Sequence, residues 1–213
     1  MFSRMNWVSA RYFIVSLYPY PPIPVQNSSR LWQEWGLKSP RAAKKPAPPL
    51  NEERLRQLAL HYVGKYATTQ AKLAGYLARK TRERGWEGDR PADIEALTAQ
   101  FVELGYINDA QFAEARSRSF VRRGYGQRRL NEDLRASGIG DNDAIPAKSH
   151  MEASGFNAAE NFARRKRIGP FATNAATPEK QQKQLHAFMR AGHDFTLARR
   201  FVEAAPGDDI SES

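Results

Sequence analysis

Three stretches of this chain carry one signature, and that repetition limits the fold more than any other feature. Leu73 and Leu77 lead to Gly85-Trp86, Leu130 and Leu134 lead to Gly138-Ile139, and Leu185 and Met189 lead to Gly192 and Phe195. Each begins with two large apolar side chains four residues apart, which share one face of an α-helix. Each then has a glycine able to close the helix in a left-handed conformation, and an apolar residue that can fold back on the core. The leading leucines are 57 and 55 residues apart. A helix is expected before each pair, and another after it over 94–104, 143–153 and 195–202. A three-helix unit hides its apolar face poorly alone, so neighbouring units should stack into an elongated array.

Local signals support helices throughout. Ile94, Leu97, Phe101 and Leu104 fall at helical spacing and Gly105 follows as a stop. Asn108 is a good N-cap with Gln111 three residues on, opening a helix with Phe112, Ala115 and Phe120 that Gly124 ends. Thr177-Pro178-Glu179 supplies a cap, a proline at the first helical position and an acid in the first turn. No β-branched run alternates with polar residues, so no strand is expected. The chain reads as all-α, with three tandem three-helix repeats over 51–106, 107–155 and 156–205 and a tail over 206–213. Pro146 is tolerated if the third helix of the middle repeat starts near Asp143, but would break one starting at Asp141. Ser154-Gly155 reads as a hinge.

Residues 1–50 differ. Prolines crowd at 19–24 and again at 40–49, with seven Lys/Arg and one acid, Glu34. Such density blocks helix and sheet, so the segment is expected to be a largely disordered basic extension. It reads as a solvated leader, or as a tail adding weak attraction to DNA. The full chain of 213 residues has a formal net charge of +10, which favours anionic partners such as nucleic acid or an acidic protein groove. Cysteine is absent, which excludes disulfides, thiolate catalysis and cysteine-based metal sites and suits a reducing compartment. The apolar stretch Tyr12 to Leu17 is too short for a bilayer or a signal-peptide core. A soluble, cytoplasmic protein is expected.

Enzyme motifs do not emerge. There is no phosphate-binding loop, no His-Glu-x-x-His, and no serine in a nucleophile elbow. Gly124-Tyr125-Gly126 lacks the third glycine of a dinucleotide fingerprint and follows a helix. The four histidines (61, 150, 186 and 193) are not spaced as metal ligands. No catalytic residue, metal or cofactor is assigned. Arginine stands out instead. Arg122-Arg123 and Arg128-Arg129 flank the turn Gly124-Tyr125-Gly126, and Arg164-Arg165-Lys166-Arg167 forms a second cluster. A guanidinium grips carboxylate or phosphate with two hydrogen bonds, so both clusters are candidate partner-binding sites. The competing reading is solvated helix C-termini, where the dipole favours cations. Gly124 and Gly126 are read as backbone necessities, and Tyr125 as a plug between helices more than a stacking platform.

Several stretches resemble one known family. Leu55-Arg56-Gln57-Leu58-Ala59-Leu60-His61-Tyr62, then Ala71-Lys72-Leu73 through Leu77-Ala78-Arg79-Lys80, is similar to its opening repeat. Glu103-Leu104-Gly105-Tyr106-Ile107-Asn108-Asp109, Phe112-Ala113, Arg122-Arg123-Gly124-Tyr125-Gly126 and Leu134-Arg135-Ala136-Ser137-Gly138-Ile139 continue the match. The family is RecX, regulators of the RecA recombinase, and the likeness covers residues 52–203. His193 stands where an aromatic is expected. The resemblance implies three tandem three-helix repeats in an elongated, curved molecule. It also implies a non-enzymatic monomer that binds along the RecA–DNA filament and damps ATPase, strand exchange and co-protease activity. Two other readings stay open: a basic helical protein acting directly on single-stranded or duplex DNA, and a helical protein-interaction scaffold.

Overall fold

The computed structural model describes residues 47–211, and the expectations for residues 1–46 lie outside the described residues. Among the described residues there are nine α-helices: α1 (Glu52–Lys65), α2 (Gln70–Arg84), α3 (Ile94–Glu103), α4 (Asp109–Arg122), α5 (Gln127–Ala136), α6 (Asp141–Ala153), α7 (Gly155–Lys166), α8 (Pro178–Ala191) and α9 (Phe195–Glu203). A 3-10 turn, Gly169–Phe171, follows α7. The sole β-type pairing among these residues is an isolated bridge between Leu50 and Trp86.

The helix starts follow from side-chain caps. Asn51, Thr69, Asp93, Asn108, Thr177 and Asp194 each accept a hydrogen bond from a first-turn backbone N–H, satisfying a donor that the helix itself leaves open. Glycine ends several of them: Gly85, Gly105, Gly138 and Gly192 all have positive φ.

Three cores organise the helices. Leu50, Leu55, Leu73, Leu77, Phe101 and Ile107 form the first, within α1–α3 and their flanks. Phe120, Leu130, Leu134, Ala144, Ala147 and Met151 form the second, mainly from α4–α6. Phe162, Ile168, Phe188, Phe201 and Val202 dominate the third, from α7–α9. Each fully buried leucine or phenylalanine contributes about 1.5–3 kcal/mol by leaving water. The all-α architecture of three-helix groups is therefore present. Leu50, grouped by sequence with the basic extension, is fully buried in the first core, where its backbone N–H donates to Gly85 O and its carbonyl accepts from Glu87 N.

Two details differ from expectation. The third unit is anchored by Phe188, while Leu185 and Met189 are only partly buried. Phe195 is half exposed, and His193 takes the buried place after the glycine stop, between Phe162 and Phe188. It thus matches Trp86 after Gly85 and Ile139 after Gly138. The other difference is α6, which starts at Asp141 and runs through Pro146. Proline there withholds one N–H, from the carbonyl of the exposed Asn142, while Ala144, Ala147 and Met151 hold the opposite face into the core. Close packing of α4 on α6 outweighs the lost bond.

The units join by a recurring contact. The first turn of α2 meets the end of α5: Thr69 Oγ1 donates to Ser137 O at 2.6 Å, and Lys72 Nζ to Ser137 Oγ at 2.9 Å. The first turn of α5 meets the end of α8 in the same sense: Gly126 N donates to Ala191 O at 2.9 Å and Arg128 N to Gly192 O at 3.1 Å. At the α5–α8 contact open N–H groups of one helix meet open carbonyls of another, whereas at the α2–α5 contact side chains make the bonds; in both, opposite dipole ends face each other.

Candidate partner-binding site

The second of these contacts builds the site. Its tight turn needs glycine twice over. At Gly124 φ is +65°, and a Cβ would meet Phe162 N at 2.6 Å. At Gly126 a Cβ would meet Gly192 O at 2.3 Å. The turn is further fixed by His193 Nε2 against Gly124 O at 3.1 Å. Burial is the main influence on this histidine and pushes its pKa below the ordinary value; the Gly124 carbonyl partly opposes that shift. Burial thus favours the neutral imidazole, and because a carbonyl only accepts, Nε2–H is the donor.

Tyr125 projects from this turn, half-buried against the second and third cores. Its ring is the seat for three guanidiniums. Arg129 lies 4.6 Å, Arg123 5.0 Å and Arg165 5.7 Å from the ring centroid. Arg165 also donates to the Arg123 carbonyl, which ties the end of α7 to the end of α4. The tyrosine is thus both the plug between helices and the platform on which two sequence clusters meet. Cation–π attraction offsets part of the repulsion among the three charges. Among the described residues none of the three is paired with a carboxylate.

The other candidates are placed differently. Arg128 donates to the Met189 carbonyl at the end of α8 and lies 4.0 Å from Glu132, so it has a structural tie. Arg164 pairs with Glu160 at 2.8 Å and covers Phe171 at 4.4 Å. Arg122, Lys166 and Arg167 are exposed at the ends of α4 and α7, and Arg167 has a left-handed backbone that closes α7. The reading of both clusters as helix C-termini needs correction. Arg128 and Arg129 lie in the first turn of α5, where the helix dipole opposes a cation. Dipole compensation by their own helix therefore does not explain them.

Beside the platform runs an open groove of about 430 Å³, lined by Arg116, Phe120, Arg123, Tyr125, Arg129, Glu132 and Asp133. Arg116 is gripped by Asp133 through two hydrogen bonds, 2.8 and 2.6 Å. That pairing forms one wall and leaves Arg123 and Arg129 as the cations free to take an outside anion. Sequence reasoning missed Arg116 and Asp133 as a pair, because they lie on different helices, 17 residues apart.

A larger hollow of about 800 Å³ near Asn51, Arg56, Trp86 and Arg90 mixes acids and bases and assembles no nucleophile with a base. Ser117 and His150 do pair, Oγ to Nδ1 at 2.8 Å, but Ser117 is fully buried and joins α4 to α6. No helix among the described residues is long and apolar enough to cross a membrane.

Fold and site together define a basic, all-helical repeat protein that presents arginines at the junction of two repeats. A family model described as RecX, second three-helix domain, matches residues 108–144, which hold the Tyr125 turn. The Regulatory protein RecX of Myxococcus xanthus is 32% identical over 177 residues, covering 79% of this chain and 92% of the relative. That of Agrobacterium fabrum is 29% identical over 151 residues, covering 69% and 80%. The crystal structure of RecX from Lactobacillus salivarius aligns with a TM-score of 0.52 at 20% identity, covering 71% of this chain and 94% of that one, a likeness of fold. The chain belongs to the RecX family of regulatory proteins.

Proposed function

We propose that this protein is a non-enzymatic regulator of RecA that binds the RecA–DNA filament and damps its ATPase, strand-exchange and co-protease activities. It acts in the cytoplasm as a monomer. The supporting observation is the convergence of Arg123, Arg129 and Arg165 on Tyr125, with no carboxylate partner among the described residues. Such a cluster suits an acidic protein surface or a phosphate backbone. Arg122, Arg128, Arg164, Lys166 and Arg167 extend it on the same helix ends. We take the three helical groups as the repeats 51–106, 107–155 and 156–205.

The test is the single-strand-DNA-dependent ATPase of RecA, titrated with the full chain well below equimolar ratios. A fall in rate at such ratios supports regulation of filament growth over titration of free RecA. An unchanged rate, with no co-sedimentation with the filament, refutes the proposal.

A further inference from the structure

The first repeat carries an aromatic face that the regulatory reading does not use. Tyr62 of α1 and Tyr76 of α2 stack with ring centroids 4.3 Å apart and planes 20° from parallel. Tyr66, which closes α1, tilts against Tyr62 at 5.2 Å and is 49% exposed. Flexible cations lie over the rings: Lys65 Nζ is 5.4 Å from the Tyr66 centroid, and the Arg79 guanidinium 5.6 Å from that of Tyr76. The core beneath is filled by Leu55, Leu73, Leu77 and Phe101. Tyr62 and Tyr76 pad its edge, and Tyr66 stands outside it.

We propose that Tyr62, Tyr66 and Tyr76, with Lys65 and Arg79, form a base-stacking platform for single-stranded nucleic acid, separate from the arginine site around Tyr125. Unpaired bases stack on aromatic rings, which Lys65 and Arg79 can uncover by rotating aside, and phosphates need cations nearby. The ion pair of Arg79 with Glu83, 3.6 Å and exposed on both sides, contributes little and yields readily to a phosphate. Duplex ends aside, base-paired nucleic acid hides the faces this platform would touch.

The experiment is fluorescence anisotropy of the full chain with two labelled probes, a 20-nucleotide oligothymidylate and an abasic strand of equal length. Both carry the same phosphates, so charge alone cannot tell them apart. The platform predicts about tenfold tighter binding of the oligothymidylate, the size of one stacked base. Tyr66→Ala should remove that preference while leaving the abasic affinity unchanged, and Tyr66→Phe should keep it. Lys65→Gln should weaken both probes and reduce the salt slope by about 0.7 for the lost phosphate contact. Equal affinity of the wild-type chain for the two strands overturns the proposal without recourse to any variant. So does a preference that survives Tyr66→Ala. No recombinase is present in this assay, so its outcome is independent of the regulatory reading.

Discussion

Gly126→Ala probes the contact on which the candidate site rests. Gly126 has φ −90°, a conformation open to any residue, so the penalty is steric and not conformational. An added Cβ would stand 2.3 Å from Gly192 O, 2.4 Å from Gly192 C and 2.6 Å from His193 N, all backbone atoms that cannot rotate aside. The turn must back away. Three hydrogen bonds then stretch or break: Gly126 N to Ala191 O, Arg128 N to Gly192 O, and His193 Nε2 to Gly124 O. Each contributes about 1 kcal/mol net, and more where the partner stays buried and unpaired. A loss of about 3 kcal/mol is expected. Gly75→Ala is the control, because nothing lies within 4 Å of its Cβ and α2 continues on both sides. That change should stabilise by about 0.5–1 kcal/mol. Urea titration followed by circular dichroism measures both. If Gly126→Ala falls within about 0.5 kcal/mol of wild type, the backbone contact between α5 and α8 is not as described.

Further outcomes follow from the same geometry. Arg123→Ala/Arg129→Ala should leave stability within about 1 kcal/mol of wild type, since both side chains are exposed. It should raise the concentration for half-maximal inhibition of the RecA ATPase about tenfold or more; unchanged inhibition at several salt concentrations would remove the site. Arg128→Ala is a poorer probe, because it also releases the Met189 carbonyl. Leu134→Ala should destabilise by about 2–5 kcal/mol, the range for a buried leucine, and an unchanged melting temperature would contradict the second core. His193 has its folded pKa lowered, so the unfolded chain binds the proton more readily. Its contribution to stability is complete above its ordinary value of 6.5 and shrinks as pH falls below that toward the folded value. His193→Phe should flatten this limb of a stability-against-pH curve measured by urea midpoints.

The features legible in sequence were those written in local chemistry. Caps such as Asn108 and Thr177, stops such as Gly105 and Gly192, and the pairs Leu73/Leu77 and Leu130/Leu134 need only neighbours a few residues away, and they appear where expected. Errors arose where one helix offers more than one apolar face. In α8, Leu185, Phe188 and Met189 sit close enough on the surface that periodicity cannot choose the inward residue, and packing against Phe162 and Phe201 selects Phe188. The start of α6 was misjudged because intrinsic proline cost was weighed without the packing of α4. Of the site, the arginine-rich segments were visible, but not their meeting. Arg165 reaches Tyr125 only because α7 ends beside α4, a relation across 40 residues with no sequence mark. The backbone bonds between repeats are silent in sequence too, except for the glycines that permit them.

The contacts between helix ends have a consequence for how the series of units closes at α2. The start of α2 sits on the end of α5, and the start of α5 on the end of α8. Each of these starts therefore rests on a helix later in the chain. At one extreme the seat is taken: Leu50 N donates to Gly85 O, and Arg84 clasps the Pro48 carbonyl, so the close of α2 is occupied by its own chain. At the other, α8 begins at Thr177, whose own hydroxyl serves as the cap. Residues 48–50 thus hold, at the close of α2, the place that the start of another helix holds at the close of α5 and of α8.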